Sequence, residues 1–336
     1  MLASAHRPVA ETRSLPVTMQ IHTMWMPVQI VAAAVLCLAA ALAHGGERDA
    51  NSASSLRAKY AELRNQLGNN QFQKPLYLDS SESPNGVAGD IHALIDHPFA
   101  TAAAALSGAG DWCEILILHV NTKYCRASTG DRGSVLIVRI GKKYDQPLDE
   151  AYRVEFTYRV AAQTSSYLQV LLNADQGPLS TRNYRIVLEA VPVDKDRTFI
   201  HLSYSYAIGT VGRLAMQVYL GTVGKSKVGF TVAGTQADGQ PLHIGGTRGV
   251  VERNTMRYYL AIEAFLGALS APPQARLEKR LRDWFAAAER YPRQLHEMEQ
   301  GEYLEMKRKE YLRQQARLPS ERTASTFAER APQRSA

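Results

Sequence analysis

The residues best able to do chemistry are few and scattered. If GDIHALID (89–96) is extended, Asp90, His92 and Asp96 share one strand face, with His97 beside them. Carboxylates next to imidazoles can bind zinc or exchange protons. No HExxH or comparable spacing accompanies them, so the group reads as a solvated strand face with no metal site. His119 follows the apolar run EILIL and stands near Tyr124, where a general base would be useful; the ordinary reading of such a histidine is a satisfied buried one. Gly224-Lys225-Ser226 copies the end of a phosphate loop, but the glycine that must precede it is replaced by Tyr219, so the backbone cradle is missing. There is no G-x-S-x-G elbow and no dinucleotide fingerprint. Neither a catalytic residue nor a cofactor is therefore assigned, and His119 is the one candidate for catalysis.

The three cysteines divide by position. Residues 28–43, VQIVAAAVLCLAAALA, form an uncharged apolar run ending in small residues and followed by the polar HGGERDANSASS. This pattern is that of a cleavable signal peptide over 1–43, which sends the chain to the periplasm or outside the cell; the alternative is an inner-membrane anchor made by 28–43. Cys37 lies within the run. The remaining Cys113 and Cys125 sit in one short stretch, which in an exported protein favours a disulfide over two buried free thiols. The whole chain carries 39 Lys and Arg against 32 Asp and Glu. Beyond residue 43 most of the mild excess falls in 274–336, so the central part is close to neutral and nucleic acid is not an expected partner.

The elements that would position these residues follow from periodicity. LRAKYAELRNQL (56–67) has Leu56, Tyr60, Leu63 and Leu67 at helical spacing, within a 44–75 linker segment, and reads as an appendage. The turn cluster SSESPNG (80–86) sets it apart from a main domain at 76–270. There GDIHALID reads as a strand stopped by His97-Pro98, FATAAAALSG as a helix closed by Gly108, and DWCEILILH as a helix with Asp111 at its N-cap. YRVEFTYRV (152–160) alternates strictly, and NYRIVLEAV (183–191) with RTFIHLSYSYAI (197–208) forms an antiparallel hairpin. In its second arm Ile200, Leu202, Tyr204, Tyr206 and Ile208 share the dry face, which leaves His201 exposed on the other. NTMRYYLAIEAFLGAL (254–269) is a helix with a broad apolar stripe, ended by Pro272-Pro273. The dry face of the sheet is its natural partner.

The chain then changes character. QARLEKRLRDWFAAAERY puts Leu277, Leu281, Trp284 and Phe285 on one face, and Pro292 interrupts it before a second charged helix. Residues 274–317 read as a charged amphipathic helical extension suited to a membrane surface or a protein partner, or to packing on its own domain, and 318–336 as a disordered tail.

A strand, two short helices with Trp112 in the second, a meander of about six antiparallel strands and a long closing helix resemble the START-like (SRPBCC, Bet v 1-like) helix-grip superfamily over about 89–270, and GDIHALIDHPFATAAAALSGAGDWCEIL is similar to the way those domains open. The resemblance implies an α+β fold, a curved antiparallel sheet wrapped around a long C-terminal helix, with an apolar small molecule or lipid held between them. It implies no universal catalytic residue. A Gly-rich insert at 209–250 departs from the pattern. The residues expected to line the cavity are Trp112, Tyr158, Leu202, Tyr204, Tyr206, Tyr259 and Phe265. The reading is thus an exported binding protein for an apolar or amphipathic molecule, with two alternatives: an enzyme using His119 as base, or an envelope interaction protein using the C-terminal arm.

Overall fold

The computed structural model describes residues 52–131, 133–209, 212 and 227–316, all within one compact unit, Asp49–Ala336. The apolar run 28–43, the tail 318–336 and part of the Gly-rich insert, including RLAMQVYL, lie outside the described residues.

Proline and alternation set the order of elements. The chain begins with helix α1 (52–68) and a hairpin of β1 (Leu76–Ser83) and β2 (Gly86–Ile95). Pro98 closes β2 and stands at the N-cap of α2 (Phe99–Leu106), and α3 (Ala109–Leu116) follows at once. Its N-cap is Gly108 rather than Asp111, which lies inside the first turn, where a carboxylate favours the helix dipole. The meander then runs through β3 (Thr122–Gly130), β4 (Gly133–Ile140), β5 (Tyr152–Gln163), β6 (Leu168–Gln176), β7 (Thr181–Pro192) and β8 (Thr198–Ile208). After a small hairpin, β9 (Val232–Thr235) with β10 (Pro241–His243), the chain enters α4 (Gly246–Gly267). This helix begins eight residues earlier than its apolar stripe suggested.

The large sheet has the order β1-β2-β8-β7-β6-β5-β4-β3, and every neighbouring pair is antiparallel. β2 pairs with β8, the last strand of the meander, and β1 is an added edge strand. The inner face, with Ile91, Val154, Phe156, Leu188, Leu202 and Tyr204, packs on α4 through Met256, Leu260 and Phe265 in one continuous core. Contact between helix and sheet is close at Gly89, where an added Cβ would stand 2.5 Å from Thr255 Oγ1. A curved antiparallel sheet closed on a long helix is the helix-grip arrangement that the resemblance implied.

Both faces of the sheet are used. α1 is not an appendage: Leu56, Leu63 and Leu67 are buried on the outer face against Tyr167, Val191 and Phe199, and Tyr60 meets Phe199 at 5.1 Å between ring centres. Each fully buried leucine is worth about 1.5–3 kcal/mol relative to exposure.

The C-terminal helices also belong to the domain. α5 (Pro273–Ala288) and the short α6 (Pro292–Leu295) pack on α4, and α7 (Gln300–Gln315) lies along the β3 edge and against α5. Trp284 donates to the Arg257 carbonyl at 3.1 Å, and Tyr303 stacks on Trp284 while donating to the Leu118 carbonyl at 2.8 Å. The face proposed for a membrane or partner is therefore buried in its own domain. α7 caps the exposed edge of β3: Lys307 donates to the Thr122 carbonyl, and Gln314 accepts from the Cys125 backbone N–H. Beneath it Glu310 holds Lys123 at 2.9 Å and Lys307 at 2.6 Å, all three side chains fully buried. Cys113 and Cys125 form a disulfide that ties α3 to β3. Among the described residues no helix is long and apolar enough to cross a membrane.

Candidate functional site

At one end of the grip, α4 and the sheet leave a cavity of about 520 Å³, within the usual range for small-molecule sites. Its apolar wall comes from Ile140 at the end of β4, Tyr152 at the start of β5, Val250 on α4, and Pro178 with Leu179 in the β6–β7 turn. Leu179 has φ 56° and Ser180 φ 61°, the left-handed region that residues with side chains seldom adopt. Leu179 is 61% exposed in this turn, and Tyr152, 41% exposed, lines the same cavity. Two apolar side chains of the lining are thus left in water.

The loop after β4 forms another wall. Asn121 and Gly141 exchange hydrogen bonds of 2.7 Å, and the Lys142 N–H donates to Gln146 Oε1 at 2.6 Å. A Cβ at Gly141 would meet the same Gln146 oxygen at 2.6 Å, so a larger residue here would displace the amide that fixes the loop. The result is a fixed platform that carries Lys142 and Lys143 to the cavity.

The lining is strongly cationic. Among the described residues Lys142, Lys143, Arg253 and Arg257 line it together with the carboxylate Glu150. Just beyond them Glu297 gathers Arg257 at 2.6 Å, Lys143 at 2.7 Å and Lys227 at 3.7 Å. Burial pushes the Glu297 carboxyl up, but Arg257 and Lys143 outweigh it and hold the group below its ordinary value. Burial likewise lowers Lys143, with Glu297 opposing. Glu297 is thus shared among three cations, with Arg257 and Lys143 nearest. Arg253 and Arg257 are each only 3% exposed, and apolar walls around such charges strengthen their field.

His119 does not line this cavity. Its Nδ1 accepts the Asn121 N–H at 3.1 Å, its ring lies 4.9 Å from that of Tyr258, and Asn254 approaches it from α4. Burial, then the charges of Arg257, Lys307 and Lys143, push its pKa well down, with Asn254 opposing. The imidazole is neutral at pH 7.

The seven residues expected around a ligand are all buried, and none lines the cavity just described. Tyr204 and Tyr206 come together with Tyr184 and Tyr258 in a ring cluster on the inner face. Tyr158 is nearby on the same face, and its hydroxyl is buried without a hydrogen-bond partner. Trp112 donates to the Leu106 carbonyl, Leu202 is fully enclosed, Tyr259 donates to Glu263, and Phe265 lies under the Arg280 guanidinium. These four hold helices on the sheet.

A second, polar cleft of about 700 Å³ opens on the outer face beside α1, lined by Lys59, Glu62, His92, Glu189 and His201 among others. His201 is neither exposed nor unengaged: Nε2 meets Asp90 at 2.8 Å and Nδ1 meets Glu189 at 2.9 Å. Burial disfavours its charge, yet the two hydrogen-bonded carboxylates raise its pKa to about 9. His92 stacks on it at 4.3 Å and is only 8% exposed. Burial, then the His201 charge, pushes His92 down to about 3. The solvated strand face is therefore a covered polar cluster with one charged and one neutral imidazole, while Asp96 stays exposed. Among the described residues no group of His, Cys, Asp and Glu is arranged to hold a metal ion.

The strand order and the seat of α4 decide the architecture. The fold is a helix grip. No protein-family model and no curated protein matches the sequence. Solved structures with a similar arrangement include norcoclaurine synthase from Thalictrum flavum, 14% identical, covering 44% of this chain and 77% of that one, with a TM-score of 0.28. Human StAR-related lipid transfer protein 5 is 8% identical, covering 52% and 90%, also at 0.28. A conserved protein from Geobacillus kaustophilus is 15% identical, covering 42% and 85%, again at 0.28. The assignment of the fold rests on the topology of this chain and not on these likenesses.

Proposed function

We propose that the chain is an exported binding protein that holds an apolar or amphipathic small molecule, such as a lipid, in the cavity between α4 and the sheet. The observation that carries this reading is that Tyr152 and Leu179, both exposed, line a cavity of about 520 Å³. Apolar groups held at the mouth of a formed cavity gain by taking up apolar surface from a ligand. Export is supported by the apolar run 28–43 and by the Cys113–Cys125 disulfide, a bond that persists in oxidising compartments.

Native mass spectrometry with organic extraction tests the reading on protein purified from a bacterial envelope. A stoichiometric apolar adduct is expected. A bare protein mass that stays bare after incubation with a lipid extract would contradict it.

A further inference from the structure

The outer face of the sheet divides into two halves. α1 covers the end around Tyr167, Val191 and Phe199. Toward the other end Val154, Phe156 and Tyr158 of β5 turn into the core, so Arg153, Glu155, Thr157 and Arg159 point outward. The register carries this face across the neighbouring strands: Arg139 of β4 lies opposite Arg153, and Thr157 leads through Asn173 of β6 to Arg185 of β7. Arg153, Arg159 and Arg185 are exposed, and Arg139 is half-buried.

Some of these charges are answered and others are not. Arg153 pairs with Glu155 at 2.7 Å, and Arg126, on the same face of β3, has a partner of its own. Arg139 donates to a neutral group, the Ala151 carbonyl, at 3.2 Å, and it stands directly across from Arg153, a like-charge pairing that disfavours the sheet. Among the described residues Arg159 and Arg185 have no hydrogen-bond or ion-pair partner. With the answered groups set aside, Arg139, Arg159 and Arg185 share this half of the face with the exposed Asp175, which leaves 3 − 1 = 2 positive charges.

The spacing decides what kind of anion fits. Arg159 and Arg185 are two strands apart, about 10 Å, and Arg139 lies six residues along the strands, roughly 20 Å from Arg159. They are too widely spread to close on one small anion, and the sheet curves around α4, so this face bulges outward instead of enclosing a ligand. Thr157 and Asn173 between them are neutral hydrogen bonders, and none of the outward positions of β4 to β7 in this half holds an aromatic residue of the kind that anchors most protein partners. An array of separate phosphates matches such a surface: guanidinium groups make charge-assisted hydrogen bonds with phosphate oxygens, and each basic side chain near an anionic bilayer adds to its attraction.

We propose that this half of the outer face docks the protein on an anionic phospholipid bilayer, with Arg139, Arg159 and Arg185 each on a separate phosphate. The surface shares no residue with the cavity lining, so it stands or falls independently of the binding reading above.

Vesicle flotation of the full chain tests it, with vesicles of phosphatidylcholine alone or of equal parts phosphatidylcholine and phosphatidylglycerol. The anionic vesicles are expected to bind at least about tenfold more tightly at low salt, with the difference shrinking as salt is added. Binding through the apolar run 28–43 is common to both vesicles and drops out of the comparison. In Arg159→Glu, Arg185→Glu, checked for folding by thermal unfolding, the preference should fall at least about tenfold. The milder Arg159→Gln, Arg185→Gln pair serves if the reversed charges unfold the protein. Lys195→Glu, Arg293→Glu changes the net charge equally at exposed positions elsewhere and should keep the preference. Equal binding of the two vesicles by the parent, a preference retained by the folded face variant, or an equal loss in both charge-reversed variants would overturn the assignment. Equal vesicle binding together with retention on immobilised polyglutamate that the face variant loses would give the face to an acidic protein instead.

Discussion

At the scale of single residues, the His92–His201 stack ties stability to pH in two directions. His201 has a folded pKa raised to about 9 from 6.5, so its contribution is complete below pH 6.5 and is lost as pH rises toward 9. By linkage this is worth about 3 kcal/mol at most. His92 is depressed to about 3, so its contribution is present above pH 6.5 and is lost as pH falls toward 3. Thermal unfolding of His201→Gln should therefore lose the part of the alkaline decline that lies between pH 6.5 and 9; a variant with the parent's slope there would show that the carboxylates do not hold the proton. This cluster was only half legible in the sequence. Alternation placed Asp90, His92 and His201 on the outer face correctly, but treated that face as wet. The warning was the presence of Leu94, Val191 and Phe199 at outward positions, which α1 covers.

At the scale of elements, α7 and the disulfide hold β3 by different means. Glu310 is shared by two lysines that have no exposure to water, and burial has already lowered Lys307 to about 8. Removing the carboxylate in Glu310→Gln leaves two buried ammonium groups side by side. The expected loss is about 3–5 kcal/mol, read as a lower urea midpoint at unchanged slope. A loss under about 1 kcal/mol would mean that the lysines find other partners. The Cys113–Cys125 bond closes a short loop, with the two residues 12 apart in sequence. Its removal in a Cys113→Ser, Cys125→Ser variant should cost about 3 kcal/mol, and non-reducing mass analysis with thiol blocking should find both thiols protected in the parent. Labelling of both without reductant would contradict the bond. What α5 and α7 cover was left open by the sequence: Trp284 and Tyr303 show an apolar edge, but an amphipathic pattern does not say whether a membrane, a partner or the chain's own domain will cover it.

At the scale of the whole molecule, the helix grip was legible because its signals are local. Period-two alternation in β5, β7 and β8, the Pro98 stop and the broad stripe of α4 each follow from neighbouring residues, and their order leaves few ways to close the sheet. The cavity was not legible. Asn121, the Lys142-Lys143 loop, the strained Leu179 turn and Arg253 come from four separate parts of the chain, and only the closed fold brings them together. The strand tyrosines proposed as lining became core, since inward-facing phenols pack as readily as they line a space.

Filling the cavity tests the central claim most directly. Val250 lines it from a half-buried position on α4, so Val250→Trp should occupy the space with little strain on the core. Native mass spectrometry of this variant and the parent, after the same exposure to an envelope lipid extract, should find the adduct on the parent alone, with both proteins unfolding at similar temperatures. An adduct retained by a folded Val250→Trp protein would place the ligand elsewhere and contradict the account.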